Sequence, residues 1–259
     1  MMPEESSIIR HFEHYRRLSP EEKDILVNLE RYPEAVSAGS TLWQEGKAAS
    51  DFCLLSSGWA YSYRHLENGT RQIMEIFLPG DIIGLREFAF NERLDGVTMI
   101  EDGALCSVTH GRMLELFCHS LTLTTVIFAI SSRQQALLCE RLVTLARRTA
   151  RQRLAHFLCE MYIRLEQTMG RCGSSFQLPL SQQQLGDLLG MTPVHVSRTL
   201  SAMSDDAIIF RNHHTINIPD LKVLAREAHF SDRYLNTNLR SLFADAPTEP
   251  GRLAMRDGV

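Results

Sequence analysis

The residues best suited to chemistry lie between positions 180 and 204, in the stretch LSQQQLGDLLGMTPVHVSRTLSAMS. Arg198 carries two parallel donors, which match O6 and N7 of guanine in a major groove. Ser197 and His195 have donors that can reach a base edge or a phosphate. We therefore predict a DNA-binding surface, and its candidate contacts are Ser181, Gln182, Gln183, Thr192, Pro193, Val194, His195, Ser197, Arg198, Ser201 and Arg211.

Two short helices and a turn are expected to hold these side chains. Ser181 caps a first helix over residues 182–189, and Gly190 permits the sharp turn that follows because glycine accepts a positive φ. Thr192 caps a second helix whose first residue is Pro193. Five apolar side chains at helical spacing pack the pair together: Leu185, Leu188, Leu189, Val196 and Leu200.

A hairpin is predicted next, in IIFRNHHTINI over residues 208–218, with Arg211 near its turn. Helix–glycine–helix corners also occur in proteins that bind no DNA. The two caps, the polar outer face of the second helix and the following hairpin together favour a winged helix-turn-helix over a simple packing corner.

A long helix is predicted over residues 121–148, because this stretch contains no Gly or Pro and its apolar residues recur every three or four positions. Such a helix is about 42 Å long, and few of its residues before Arg133 are charged. These features are typical of a seam between two copies of a helix, although a core helix within one domain would show the same periodicity. The candidate seam residues are Leu123, Ile127, Ile130, Gln134, Leu137 and Arg141.

The formal net charge is −4, so any electropositive surface must be local. Residues 141–153 contain five arginines and no acid. They are either a patch beside phosphates or an ordinary solvated helix face.

The N-terminal half reads as short helices over residues 7–36 and then as strands. From Gly39 to Thr109 short apolar runs are punctuated by glycine. Asn68-Gly69 is a strong hairpin signal, and it is flanked by period-two alternation. Strands at this spacing indicate a small sandwich or barrel.

Several short motifs follow one another in a specific order and spacing. In the N-terminal half they are Gly39 to Leu42, Gln44 to Gly46, Ser57-Gly58 and Leu78 to Gly84; in the C-terminal half they are Leu180 to Gln182, Leu189 to Thr192 and Val196 to Leu200. Through these motifs the chain resembles the CRP/FNR superfamily over about residues 20–230. The resemblance implies an α+β protein with an N-terminal cyclic-nucleotide-binding-type β-roll, a long dimerisation helix and a C-terminal winged helix-turn-helix. The implied boundaries are 1–120 for the helices and roll, 121–149 for the dimerisation helix, 150–235 for the DNA-binding domain and 236–259 for a partly disordered tail.

Several positions depart from the family pattern. Members that respond to cyclic AMP carry a glutamate and an Arg-Ser pair where this chain has Leu85 and Asp95-Gly96. An aspartate there would repel the phosphate. Members with an iron–sulfur cluster have an N-terminal cysteine cluster, whereas the first cysteine here is Cys53. Val194 takes the place of a glutamate that reads cytosine, so the half-site should differ from the family's commonest one. The pattern that remains resembles the FixK-like branch, without a cofactor or metal.

We therefore expect a cytoplasmic homodimeric transcription regulator that binds a palindromic operator and, as an activator, RNA polymerase. The alternatives are gating by an unidentified ligand in the roll, a protein–protein adaptor, and a cupin-like metalloenzyme. The last would need several roll histidines, whereas residues 39–109 contain only His65. No signal peptide or membrane span is expected. Six scattered cysteines predict small buried side chains: Cys53, Cys106, Cys118, Cys139, Cys159 and Cys172.

Overall fold

The computed structural model describes residues 6–170, 173–236 and residue 239. Two helices come first, α1 (Ser7–Tyr15) and α2 (Pro20–Leu29). The Ser19 hydroxyl accepts a bond from the backbone N–H of Glu22, whose carboxylate accepts one from Ser19 in return. This capping box satisfies two N–H groups that the helix start would otherwise leave unpaired.

Eight strands then form two antiparallel four-stranded sheets. Their bounds are β1 (Glu34–Val36), β2 (Thr41–Trp43), β3 (Asp51–Ser57), β4 (Ala60–His65), β5 (Arg71–Phe77), β6 (Ile82–Ile83), β7 (Gly96–Met99) and β8 (Gly103–Thr109). The strand orders are β1-β8-β3-β6 and β2-β7-β4-β5. The predicted hairpin is β4–β5, in which the Asn68 carboxamide accepts from the backbone N–H of Thr70. The predicted β-roll is confirmed.

Helices α3 (His110–His119) and α4 (Leu121–Arg147) follow the roll. The long predicted helix is therefore present, and the Ser120 hydroxyl caps it by accepting from the N–H of Leu123. One face of α4 packs on the roll and α1, while Leu121, Phe128, Leu142 and Val143 remain exposed on the other side.

The C-terminal module consists of α5 (Ala150–Met169), β9 (Ser175–Gln177), α6 (Gln182–Leu189), α7 (Pro193–Asp205), β10 (Phe210–Asn212), β11 (Thr215–Asn217) and α8 (Leu221–Ala228). The predicted hairpin is β10–β11. Sequence reasoning missed β9, which pairs Phe176 with Ile216 and widens the wing to three strands. The buried Phe176 ring explains why this short strand docks there.

This module packs directly against the roll. Trp59, Ile73 and Leu78 from the roll share a buried apolar cluster with Leu185 and Leu188 of α6. Burial of apolar area on both sides holds the two modules together.

Ion pairs cross the same boundary. Arg71 donates to Asp187 at 2.7 Å, and the buried Arg164 donates to Asp81 at 3.0 Å and to the carbonyl of Ile76 at 2.8 Å. The modules therefore meet through specific polar contacts as well as apolar packing.

The cysteines divide into two groups. Cys53, Cys106 and Cys159 are buried, and burial raises the pKa of the Cys53 and Cys159 thiols to about 12. Cys118 and Cys139 are exposed, so the prediction of burial is wrong for these two. Cys172 and the predicted disordered tail, apart from Asn236 and Leu239, lie outside the described residues.

Candidate nucleic-acid interface

The helix-turn-helix is built as its capping residues predicted. The hydroxyl of Ser181 accepts from the N–H of Gln184, and that of Thr192 accepts from the N–H of His195. Gly190 has φ 64°, in the left-handed region that favours glycine. A Cβ on Gly186 would stand 2.5 Å from the carbonyl oxygen of Met191, so only glycine lets the turn approach α6 this closely.

The outer face of α7 is open to solvent. Val194, His195, Arg198 and Ser201 are exposed, with 60% of Val194 accessible, whereas Val196 is fully buried. A helix that buries its apolar side on the module and presents these groups outward has the form of a recognition helix.

A groove runs along this face, and Thr149, Ala150 and Arg151, at the start of α5, line it together with Arg198. Arg151 belongs to the arginine cluster considered from the sequence, whereas sequence reasoning missed Thr149 and Ala150. Thr149 caps α5 in a box with Gln152. Free N–H groups at a helix start attract phosphates, so the Thr-x-x-Gln pattern could have placed α5 in the site.

The second groove lies on the wing side of α7, between Gln182, Ser201, Arg211 and His213. Arg211 is half-buried and donates to the carbonyls of His213 at 2.9 Å and Leu180 at 3.3 Å. Burial lowers the pKa of its guanidinium. Arg211 therefore ties the wing to the segment before α6, and this geometry favours a wing-positioning role over the direct DNA contact predicted from the sequence.

The other predicted contacts surround α6 and the start of α7. Ser181, Gln182 and Gln183 are exposed at the start of α6, and the carboxamide of Gln183 donates to Asp187 at 2.7 Å. Pro193 and Ser197 are partly exposed on α7. Gln182 and Ser197 line the wing-side groove, whereas Thr192, Val194 and His195 line the groove that contains Arg198.

The arginine cluster of residues 141–153 does not form a free basic face. Arg141 pairs with Glu160 at 3.1 Å and Arg148 with Glu140 at 2.6 Å. Arg151 contacts Asp206 at 2.6 Å and Glu227 at 2.8 Å. Neither a phosphate patch nor a solvated helix face describes the cluster fully, because both interpretations miss these internal ion pairs.

The residues predicted for the dimer seam face this chain's own body. Leu123, Ile127, Ile130 and Leu137 are at most 6% exposed. Gln134 is turned towards the carbonyl of Ile82 at 3.4 Å, and Arg141 is paired with α5. Their burial within one chain disfavours the predicted seam face, because apolar periodicity identified the side of α4 that the roll and α1 cover. The exposed apolar side is the one that carries Phe128.

The cavity in the roll is poorly suited to binding an anion. Leu85 is buried, and the buried carboxylate of Asp95 contacts the guanidinium groups of Arg64 and Arg86. Glu75 also lines the cavity, and burial raises the pKa of its carboxyl to about 7. The arginines that contact Asp95 are thus already neutralised by the protein.

Known protein families match both the N-terminal and the C-terminal half of the chain. Residues 33–120 match the cyclic nucleotide-binding domain family, and residues 152–227 match the Crp-like helix-turn-helix domain family. The chain belongs to the CRP/FNR family. This CRP/FNR chain is a transcription regulator with a DNA-binding helix-turn-helix, and its family consists of regulators rather than enzymes.

Curated relatives cover most of this CRP/FNR regulator. The transcriptional activatory protein AadR of Rhodopseudomonas palustris is 28% identical over 70% of this chain and 75% of its own. The nitrogen fixation regulation protein FixK of Bradyrhizobium diazoefficiens is 28% identical over 71% of this chain and 76% of its own.

The fold is similar to that of solved regulators. The structure of FixK2 from Bradyrhizobium japonicum has a TM-score of 0.70 at 24% identity and covers 77% of this chain and 98% of that one. Among the described residues, no helix of this CRP/FNR regulator combines the length and apolarity that a membrane crossing requires.

Proposed function

We propose that the protein acts as a cytoplasmic homodimer that binds a palindromic operator and inserts α7 of each subunit into a major groove. The observation that carries this proposal is the open polar face of α7, flanked by two grooves whose walls include a helix start and the wing. We propose residues 1–120, 121–149 and 150–235 as its sensor-type, dimerisation and DNA-binding parts.

We propose that the dimer seam is the exposed side of α4. Leu121, Phe128 and Leu142 fall in one row at multiples of seven residues, with Gln135 between the last two, and Ser132 and Cys139 fall in a second row. Apolar residues that recur at seven-residue spacing are typical of a two-helix seam. The face lies opposite Ile127 and Ile130, so it stays free while α4 covers the roll.

The proposed reading code follows from the exposed side chains of α7. Two recognition helices related by the dimer axis contact half-sites about one helical turn apart, roughly 34 Å. Arg198 donates to guanine, and the branched side chain of Val194 contacts a thymine methyl group. Ser181, Gln182 and the N-terminus of α5 hold phosphates, which positions the protein without reading sequence.

Replacement of Arg198 by alanine tests this code. We expect Arg198→Ala to lose about 1–3 kcal/mol on the preferred site and to relax the preference at one base pair in each half-site, because a bidentate contact discriminates one base. The measurement is affinity at fixed salt for the selected site and its single-base variants. The matched control is Gln182→Ala, which should weaken all sequences alike. If Arg198→Ala keeps every base preference, Arg198 holds phosphate and the code is wrong.

We further propose that cyclic AMP and cyclic GMP do not control the protein. The ion pairs of the cavity support this view, since the guanidinium groups of Arg64 and Arg86 are already engaged by Asp95 instead of being available to a cyclic phosphate. We expect no change in melting temperature with either nucleotide at millimolar concentration. Ligand at about 100 times its dissociation constant would stabilise the protein by about 2.7 kcal/mol. A clear upward shift would contradict this proposal, and it would support the alternative in which a roll ligand gates the regulator.

The named relatives support a positive role in transcription. AadR is described as a transcriptional activatory protein. We therefore propose activation, with RNA polymerase as the further partner when the operator is occupied.

A further inference from the structure

The end of α4 and the turn of the helix-turn-helix meet at one side chain, Arg153. Its Nε donates to the carbonyl of Arg148, the C-cap residue of α4, at 3.0 Å. Its Nη1 donates to the carbonyls of Leu189 at 3.1 Å and Gly190 at 3.4 Å, where α6 ends. Both helix ends leave carbonyls without a partner inside the helix, and one guanidinium satisfies both sets.

Gly190 also packs closely against α4 beside these hydrogen bonds. A Cβ placed on Gly190 would lie 3.3 Å from a methyl group of Leu145 in α4 and 3.4 Å from Nη1 of Arg153. The left-handed turn of Gly190 therefore sits directly against the last turns of α4. Thr192, the cap of α7, lies only two residues further along the chain.

These contacts provide a short route from the dimer helix to the recognition helix. Along the chain, α4 reaches α7 only through α5, β9 and α6. In space the route is shorter, because the Arg153 guanidinium bonds both to the carbonyl at the end of α4 and to the turn that precedes α7. A joint with three hydrogen bonds from a planar, rigid group resists a change of angle.

We propose that Arg153 is a positioning residue that fixes the angle between α4 and α7 and thereby sets the half-site spacing that the dimer accepts. This inference rests on the proposed dimer, because spacing has meaning only for two linked recognition helices. One added base pair between half-sites moves them about 3.4 Å apart and rotates one by about 35° around the duplex. A rigid joint cannot follow that change, whereas a loosened joint can.

A competing role for Arg153 is a simple positive charge near DNA. Its position in the arginine cluster suggested that role, but the structure directs two of its nitrogens at backbone carbonyls. Arg147 is a matched control in the same segment. It is exposed and makes no ion pair with any residue that the structure describes, so its replacement removes one charge and leaves the joint intact.

The test compares Arg153→Gln, Arg153→Lys and Arg147→Gln with the wild-type protein. Dissociation constants are measured at fixed salt on palindromes with the preferred spacing and with one base pair added or removed. We expect the wild type and Arg147→Gln to share one strong spacing preference. We expect Arg153→Gln to reduce that preference by roughly five- to tenfold, in the range typical of coupling between sites. Arg153→Lys keeps the charge but not the planar fork, and should also lose selectivity.

Each outcome decides a separate point. If the wild type shows no spacing preference, the proposed dimer fails and this inference fails with it. If the wild type has a preference and both Arg153 variants retain it, the dimer stands and the joint is wrong. If only Arg153→Gln loses it while Arg153→Lys matches the wild type, charge alone matters and the positioning role is overturned. Circular dichroism identifies an unfolded Arg153→Gln, in which case the spacing preference of Arg153→Lys decides between the two roles.

Discussion

Phe128→Asp should convert the protein into a folded monomer whose operator affinity is reduced at least a hundredfold. Phe128 is 74% exposed in the single chain, so the substitution removes no contact from the core. In the proposed seam the two Phe128 rings lie near the dimer axis, where two buried carboxylates would repel each other. Loss of the second half-site removes the gain from bivalent binding, which is commonly about 10²- to 10⁴-fold. Light scattering and equilibrium binding measure the two effects.

The contrasting variant is Ile130→Asp, on the opposite side of the same helix. Ile130 is 2% exposed and packs inside the chain, so an aspartate there should unfold or severely destabilise the protein. Cys139 offers an independent check in a Cys118→Ser background, which lacks the other exposed cysteine of the described residues. A thiol cross-linker should join two copies through Cys139 and should fail once Cys139→Ser is added. A Phe128→Asp protein that remains dimeric would show that the exposed face of α4 is not the seam.

Arg164→Ala should lower the free energy of unfolding by about 3–5 kcal/mol, because it leaves the buried carboxylate of Asp81 without its main positive partner. The Arg164 guanidinium is almost inaccessible and bonds both Asp81 and the carbonyl of Ile76. Among the described residues, Asp81 then keeps the N–H of Leu78 at 2.8 Å and the ring of His11 at 3.4 Å, and burial lowers the pKa of that ring, which disfavours its charged form. Urea unfolding at neutral pH gives the change.

The matched control is Arg226→Ala, on the exposed side of α8, which should change stability by about 0.5 kcal/mol or less. Adding Asp81→Asn to Arg164→Ala should recover part of the loss, since the stranded charge is removed. Similar stability of Arg164→Ala and Arg226→Ala would mean that the ion pair across the roll and the DNA-binding module contributes little.

Much of the site could be predicted from local chemistry. The two caps, the left-handed turn and the helix start each depend on one residue and the backbone within a few positions of it. These residues are Ser181, Thr192, Gly190 and Pro193. Such signals need no knowledge of distant partners. The same holds for the β4–β5 hairpin, whose turn is specified by Asn68 and Gly69.

The errors concern choices that depend on distant parts of the chain. Apolar periodicity showed that α4 buries one face but could not tell whether its own roll or a second subunit covers it. Arginine spacing showed positive charge near α5, while the acids that pair with Arg141 and Arg151 come from α5, from the residue that follows α7 and from α8. The strand β9 pairs with β11, which lies well beyond it in the sequence, and the Phe176 side chain is buried there.

Selection of bound sequences from random duplex DNA, with the purified protein and no added effector, tests the central claim most directly. We expect enrichment of a palindrome whose half-site centres lie about one helical turn apart, with a shared guanine in each half. Affinity for it should fall steeply as salt rises, because phosphate contacts release counterions. Absence of any enriched sequence, or enrichment of unpaired half-sites alone, would contradict the proposal that this chain reads an operator as a dimer.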